Sequence, residues 1–88
     1  MKTSVTEHGT LVVTRYEMAA GDSVREHTHP TGYGHITICA KGRVRIAGPS
    51  IDVTLEAGQM IDYAEDQQTH GIQSIEDGTV VFNVFKGA

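Results

Sequence analysis

The chain has 88 residues and a formal net charge of −4, and 39% of its residues are hydrophobic and 20% charged. This length corresponds to one domain over residues 1–88, with its core over about residues 10–86, and the composition argues against intrinsic disorder. The acidic balance and the scattered Lys and Arg residues argue against nucleic acid as a partner.

The cysteine count and the hydropathy pattern exclude further classes. A single cysteine, Cys39, rules out an intramolecular disulfide and therefore a disulfide scaffold. The N-terminal stretch MKTSVTEHGT lacks the apolar region of a signal peptide. No apolar run approaches the roughly 20 residues of a membrane span. We therefore expect a cytoplasmic protein with no membrane partner.

Short β-branched or alternating segments separated by turn residues follow one another along the chain. The predicted strands are TLVVTRYEM (10–18), VREHTHP (24–30), HITICA (35–40), RVRIAG (43–48), IDVTL (51–55), QMIDYA (59–64), THGIQSI (69–75) and TVVFNVF (79–85). The dipeptide Lys41-Gly42 predicts a hairpin between the third and fourth of these. Residues 1–9 are predicted to form a polar segment, and KGA (86–88) a tail.

The spacing of the turn signals indicates the fold class. They recur at intervals of about 8–12 residues, which is typical of an all-β sandwich or barrel. Apolar residues do not recur at three- and four-residue spacing, so no helix of useful length is predicted.

Three of the five histidines lie in the stretch HTHPTGYGH. If the strand is extended, His27 and His29 point to the same face, because residues two apart do so in a β-strand. Two imidazoles on one face can chelate a single metal ion. Taken alone, the pair is a weak signal and is more typical of two histidines on an exposed strand face.

Two more histidines lie at the beginnings of predicted strands. His35 opens one strand and His70 opens another, and the ends of antiparallel strands meet at the mouth of a β-barrel. The four histidines can therefore converge, whereas His8 in the polar N-terminal segment is interpreted as solvated. Convergence of this kind predicts a metal site.

Two motifs resemble those of the cupin superfamily, small β-barrels of jelly-roll type. Gly21 to His29 fits G-x5-HxH, His35 to Gly42 fits H-x6-G, and the segment from Gly58 to His70 resembles the second cupin motif. This sequence is similar to a subset of small single-domain cupins with four histidine ligands. The resemblance implies an all-β cupin barrel and a metal bound by His27, His29, His35 and His70.

The second motif departs from the family pattern. The family's proline is Ala64, its glycine is Asp66 and its asparagine is Ser74, and His35 stands near the position of the usual glutamate. Asp62 is considered as a carboxylate partner for a histidine N–H, beside its interpretation as part of a solvated acidic turn.

Other residues near the predicted site are weighed in the same way. Thr37 and Cys39 share a face with His35 and should line the barrel interior, where Cys39 is either a pocket wall or a small buried apolar residue. Tyr33 and Tyr63 are candidates to orient a substrate or act as an acid. The alternative for each is that the tyrosine only packs in a loop or in the core. Three large apolar residues are predicted to lie in the core, namely Met60, Phe82 and Phe85.

The resemblance implies one divalent metal ion. Imidazole ligands are compatible with Fe, Mn, Ni, Zn and Cu, so they leave the identity of the metal open. It implies an enzyme of dioxygenase, isomerase or lyase type acting on a small oxygen-rich or enolisable molecule. The alternative is a non-catalytic cupin that binds or senses a small ligand, with a structural metal or none. A homodimer is expected, because a small barrel with an exposed sheet face gains by covering it.

Overall fold

The computed structural model describes residues 1–29 and 34–86. Within these ranges the chain is almost entirely extended, and its one helical turn is a 3-10 segment at Glu65–Gln67. The strands are β1 (Lys2–His8), β2 (Leu11–Met18), β3 (Ser23–Thr28), β4 (His35–Lys41), β5 (Arg43–Gly48), β6 (Ile51–Glu56), β7 (Met60–Asp62), β8 (Thr69–Ser74) and β9 (Thr79–Lys86). The described residues contain no helix that is both long and apolar enough to cross a lipid bilayer.

The strands form two antiparallel sheets that pack as a sandwich. The five-stranded sheet has the order β1-β2-β9-β4-β7, and the four-stranded sheet has the order β3-β8-β5-β6. The all-β jelly-roll architecture predicted from the sequence is confirmed.

Alternating side chains of both sheets fill the space between them. On β4, His35, Thr37 and Cys39 are all buried, as their parity predicts. The buried apolar residues of both sheets form one core, which consists of Met18, Cys39, Val44, Ile46, Ile51, Leu55, Tyr63, Ile72 and Val81.

The predicted hairpin at Lys41-Gly42 is wrong. β4 pairs with β7 and β9, whereas β5 pairs with β6 and β8, so this turn carries the chain from one sheet to the other. Gly42 adopts a φ of 79°, and a Cβ there would lie 2.8 Å from the Cα of Thr79. The glycine therefore allows both the left-handed turn and the close approach to β9.

The polar N-terminal segment forms a strand that the sequence did not predict. β1 pairs with β2 along its whole length, although each of its side chains is exposed. Main-chain hydrogen bonds hold this strand in the sheet. Because such bonds do not depend on side chains, the sequence shows no hydrophobic periodicity here.

The core prediction for Met60 is also wrong. This residue lies on the short edge strand β7 and is 63% exposed. Phe82 and Phe85 are half-buried, and Phe82 points out of the sandwich because its neighbours Val81 and Asn83 point in.

Candidate metal centre

Three histidines converge where β3 and β8 meet. His27 and His70 are direct partners across these strands, so their side chains lie on the same face. His29 follows β3, and its backbone N–H donates to the carbonyl of Gln68 at 3.0 Å. One potential ligand atom from each ring lies within 4.8 Å of the other two.

The spacing of these three rings fits a shared ion. Their centroids are 4.6 Å apart for His27 and His29, 5.1 Å for His27 and His70, and 5.3 Å for His29 and His70. Two imidazoles that bind one ion through nitrogens at about 2.1 Å have centroids about 4.6–5.3 Å apart at ligand angles from about 90° to 109°. The rings therefore stand close to a ligating separation.

Backbone carbonyls fix the orientation of two of the rings. The Nδ1 of His27 donates to the carbonyl of Arg25 at 2.7 Å, and the Nδ1 of His70 donates to the carbonyl of Gln67 at 2.7 Å. Because a carbonyl only accepts, each Nδ1 carries the proton and each Nε2 keeps a free lone pair. Backbone carbonyls thus accept the histidine N–H groups, a role for which Asp62 was a candidate. The side chain of Asp62 is exposed on β7.

Several buried ring nitrogens of this cluster lack a partner. The Nε2 atoms of His29 and His70 make no hydrogen bond within the described residues. Leaving a buried polar atom without a partner is costly, and such atoms call for an explanation such as an ion. The donor set therefore fits a divalent transition ion.

His35 lies beside the three convergent histidines. Its side chain is 1% exposed, and neither ring nitrogen has a hydrogen-bond partner within the described residues. Its ring centroid is 3.8 Å from that of His29 and 5.1 Å from that of His70. It is not a member of the mutually close group formed by the other three histidines.

Burial favours the neutral form of the imidazoles of His29, His35 and His70 by lowering their pKa values. It lowers the pKa of His29 to about 4 and that of His35 to about 3, and neighbouring histidines lower both further. The pKa of His70 is also lowered, chiefly by burial. Metal binding requires a neutral imidazole, so the environment holds the rings in the ligating form.

Comparison with solved structures identifies the fold. No family model matches the chain, and no curated protein matches it either. An RmlC-like cupin protein from Desulfovibrio desulfuricans superposes with a TM-score of 0.82 at 13% identity, over 97% of this chain and 80% of that one. The chain has the cupin fold.

Two further structures with this fold come from proteins of different kinds. KdgF from Halomonas sp. aligns with a TM-score of 0.81 at 16% identity, over 98% of this chain and 79% of that one. An HTH_3 family transcriptional regulator from Vibrio cholerae aligns with a TM-score of 0.78 at 13% identity, over 98% of this chain and 50% of that one.

Tyr63 lies against the candidate metal centre. Its ring stacks on His70 and lies 4.7 Å from the ring of His35. Its hydroxyl donates to Thr37 Oγ1 at 2.6 Å, and Thr37 Oγ1 donates to Asn83 Oδ1 at 2.6 Å. Burial raises the pKa of Tyr63 to about 12. The phenol proton is therefore committed to Thr37 and is hard to release, which favours the packing interpretation of Tyr63 over a role as an acid.

Cys39 belongs to the core of the sandwich. Cys39 is fully buried in the core, where its Sγ donates to the carbonyls of Lys41 and Gly42 at 3.5 and 3.6 Å. Burial raises the pKa of its thiol, as expected for an inert apolar residue. Tyr33 lies outside the described residues.

Sequence reasoning missed Gln68, two residues before His70. Its side chain is 7% exposed, and its Nε2 donates to the carbonyls of Tyr63 and Ala64. Its Oε1 has no partner within the described residues, and its own carbonyl holds His29. Only its position two residues before the candidate ligand His70 could have indicated that Gln68 belongs to the site.

Proposed function

We propose that this chain is a metal-binding cupin in which His27, His29 and His70 hold one divalent ion. The observation that carries the proposal is the pair of buried, unpartnered Nε2 atoms on His29 and His70, turned toward the same space as His27. Their hydrogen-bonded or buried surroundings set these rings in place before any ion arrives.

His35 is the fourth candidate ligand. Its centroid separation of 3.8 Å from His29 is shorter than the roughly 4.6–5.3 Å of two imidazoles on one ion. Binding through both rings therefore needs one of them to turn. Because both nitrogens of His35 are free within the described residues, such a turn breaks no hydrogen bond recorded there.

The chemistry proposed is that of an enzyme acting on a small oxygen-rich or enolisable molecule. Neutral imidazoles leave the charge of a divalent ion uncompensated, so the ion would supply Lewis-acid stabilisation of an anionic oxygen. The chain's own part is to exclude water and to shape the space, which the rings of Tyr63 and Phe85 do beside the histidines. This supports a dioxygenase, isomerase or lyase type of reaction.

A second candidate is a cupin that senses or carries a small ligand. It is favoured by the likeness to the Vibrio cholerae regulator, half of whose length this chain covers. One fold hosts many functions, so the state of the metal site has to decide between this candidate and the enzyme.

Metal content tests the site itself. Purified protein is expected to bind about one divalent ion per chain, and His27→Ala is expected to reduce this to trace levels. His8→Ala is the matched control, because His8 lies on the exposed strand β1 away from the cluster. Elemental analysis that finds no metal after loading, or an equal loss in both variants, would refute the proposal.

Cobalt substitution distinguishes the two candidate functions, because an enzyme needs open coordination positions and a sensor with a structural metal has a closed site. A small bidentate oxygen ligand such as acetylacetone should change the visible spectrum of the cobalt-loaded protein if coordination positions are open. An unchanged spectrum at saturating ligand would indicate a closed site and would contradict the enzymatic proposal.

A further inference from the structure

The strand β3 carries one residue more than β8 between two regular stretches of their pairing. Val24 and His27 each have a direct partner on β8. Between these two positions, Arg25 and Glu26 together lie opposite the single residue Gly71. Two residues of one strand opposite one residue of its neighbour form a β-bulge. This bulge immediately precedes the HxH pair of the candidate metal centre.

The bulge decides which face of β3 carries the histidines. Val24 packs against the core and His27 faces the other two rings, although a separation of three residues puts side chains on opposite faces of a regular strand. In a regular ladder Glu26 would lie opposite the buried His70. His27 would then lie opposite Thr69, on the outer face of the sheet. Because a slip of one residue exchanges the two faces, the HxH pair would point away from the sandwich.

Gly71 leaves room for this bulge. Its φ lies outside the left-handed region, so the backbone conformation of the strand does not require a glycine. A Cβ at this position would lie 3.0 Å from the backbone nitrogen of Glu26 and 3.1 Å from the carbonyl oxygen of Val24. Ordinary contacts between carbon atoms are about 3.5–4.0 Å long, so a side chain here would push against the backbone of β3. A glycine inside a strand often marks such a close approach.

The bulge also supplies a hydrogen-bond acceptor to one of the histidines. The backbone carbonyl that accepts from the Nδ1 of His27 at 2.7 Å belongs to Arg25, one of the two bulged residues. This bond leaves the Nε2 of His27 with a free lone pair. The bulge therefore sets both the direction of the ring and the nitrogen that is available to an ion.

We propose that Gly71 is a positioning residue of the metal centre, because its missing side chain admits the bulge that turns His27 and His29 inward. This assignment rests on the proposed metal-binding function. Gly71 has no side chain with which to bind an ion, and it acts only through the backbone of β3. Bulges commonly redirect a side chain next to a functional site in this way.

Titration with Co²⁺ and the visible spectrum of the loaded protein test this role. Gly71→Ala should lower the Co²⁺ affinity about tenfold or more and change the spectrum, because it displaces His27. Gln73→Ala, at the next outward position of β8 and exposed, should leave both unchanged. Val44→Ala in the buried core, which aligns with Ser74, should lower the urea midpoint and not the affinity. A loss of stability alone therefore does not imitate the expected result.

Deletion of Glu26 tests the bulge itself, because it leaves β3 and β8 with equal numbers of residues in this stretch. Backbone hydrogen bonds of Ser74 with Gly21 and Asp22 hold the chain at the start of β3. The slip of one residue should therefore fall on the segment that carries the histidines. We expect the shortened chain to bind Co²⁺ no better than His27→Ala does.

Combining the two changes shows whether Gly71 acts through the bulge. In the metal-free chain of full length, Gly71→Ala should lower the urea midpoint. In the chain without Glu26 it should leave the midpoint unchanged or raise it, because the backbone atoms of Glu26 that the new Cβ meets are gone and alanine suits a regular strand better than glycine. Equal losses of stability in both backgrounds would contradict the proposed role.

The outcomes separate this assignment from the function on which it rests. A Gly71→Ala variant with the Co²⁺ affinity and spectrum of the wild type would overturn the assignment, whether or not the shortened chain folds. A wild type that binds no Co²⁺ would instead refute the metal-binding function, while the urea midpoints would still report on the bulge.

Discussion

The ring of Tyr63 lies flat against the ring of His70, with centroids 3.9 Å apart and an angle of 9° between the planes. Tyr63 is in turn held by Thr37, whose hydroxyl continues to Asn83. A line of buried groups from three strands and the segment after β7 therefore sets the position of a candidate ligand.

This stack predicts two different outcomes at one position. Tyr63→Phe keeps the ring and loses only the hydrogen bond to Thr37, so it should lower the free energy of unfolding by about 1 kcal/mol and leave metal affinity unchanged. Tyr63→Ala removes the ring and should cost about 3–5 kcal/mol and weaken metal binding about tenfold or more.

Urea unfolding and metal titration of both variants measure these effects. Tyr16→Phe, at a partly buried tyrosine on β2, serves as the control for loss of a phenol elsewhere. Equal metal affinity in Tyr63→Ala and wild type would show that the stack does not position His70.

The metal-free protein should lose stability in mild acid. His35 has a pKa of about 3 in the folded protein against 6.5 ordinarily, so the unfolded chain binds more protons between these values. The free energy of unfolding therefore stays level above pH 6.5 and falls as the pH drops below it. The pKa difference corresponds to about 5 kcal/mol, against about 4–13 kcal/mol for a domain of this length.

Unfolding midpoints measured from pH 7 to pH 4 test this dependence. His35→Leu should make the curve less steep, with the remaining slope due to His29 and His70, while His8→Leu on exposed β1 should leave the curve as in the wild type. A stability that is independent of pH across this range would mean that the buried imidazoles titrate normally.

The fold class and the convergence of the histidines could be predicted from the sequence, because both depend on local patterns. Alternation on β4 placed His35, Thr37 and Cys39 inside, and the HxH spacing placed His27 and His29 on one face. These relationships need only strand geometry, which the sequence determines directly.

The features that sequence reasoning missed depend on contacts between distant segments. β1 is held by hydrogen bonds to β2, and Met60 is exposed because β7 is an edge strand, which only the strand order reveals. The carbonyls of Arg25 and Gln67 that orient the histidines carry no sequence signal, since every residue has a carbonyl.

Gly42 should be the least replaceable of the glycines with a positive φ. Gly42→Ala adds the strain of a left-handed residue, about 1–2 kcal/mol, to an overlap with the backbone of Thr79, so we expect a loss of more than 2 kcal/mol. Gly9→Ala is the matched control, because Gly9 has a φ of 60° and nothing lies within 4 Å of its added Cβ. Equal urea midpoints for the two variants would contradict the close contact between Gly42 and Thr79.

A divalent metal ion should raise the melting temperature, because it binds the folded chain and not the unfolded chain. At a free metal concentration about 100 times the Kd, binding adds about 2.7 kcal/mol, which corresponds to about 10–20 °C for a domain of this size. His27→Ala and His70→Ala should lose this shift, whereas His8→Ala should keep it and a chelator should reverse it.

His35→Leu decides the part of the fourth histidine in the same measurement. Because its ring must turn before it can share an ion with His29, we expect this variant to keep a reduced shift, with the affinity lowered about tenfold. Complete loss of the shift, with the metal-free variant still folded, would make His35 an obligatory ligand. A shift equal to that of the wild type would exclude it from the centre.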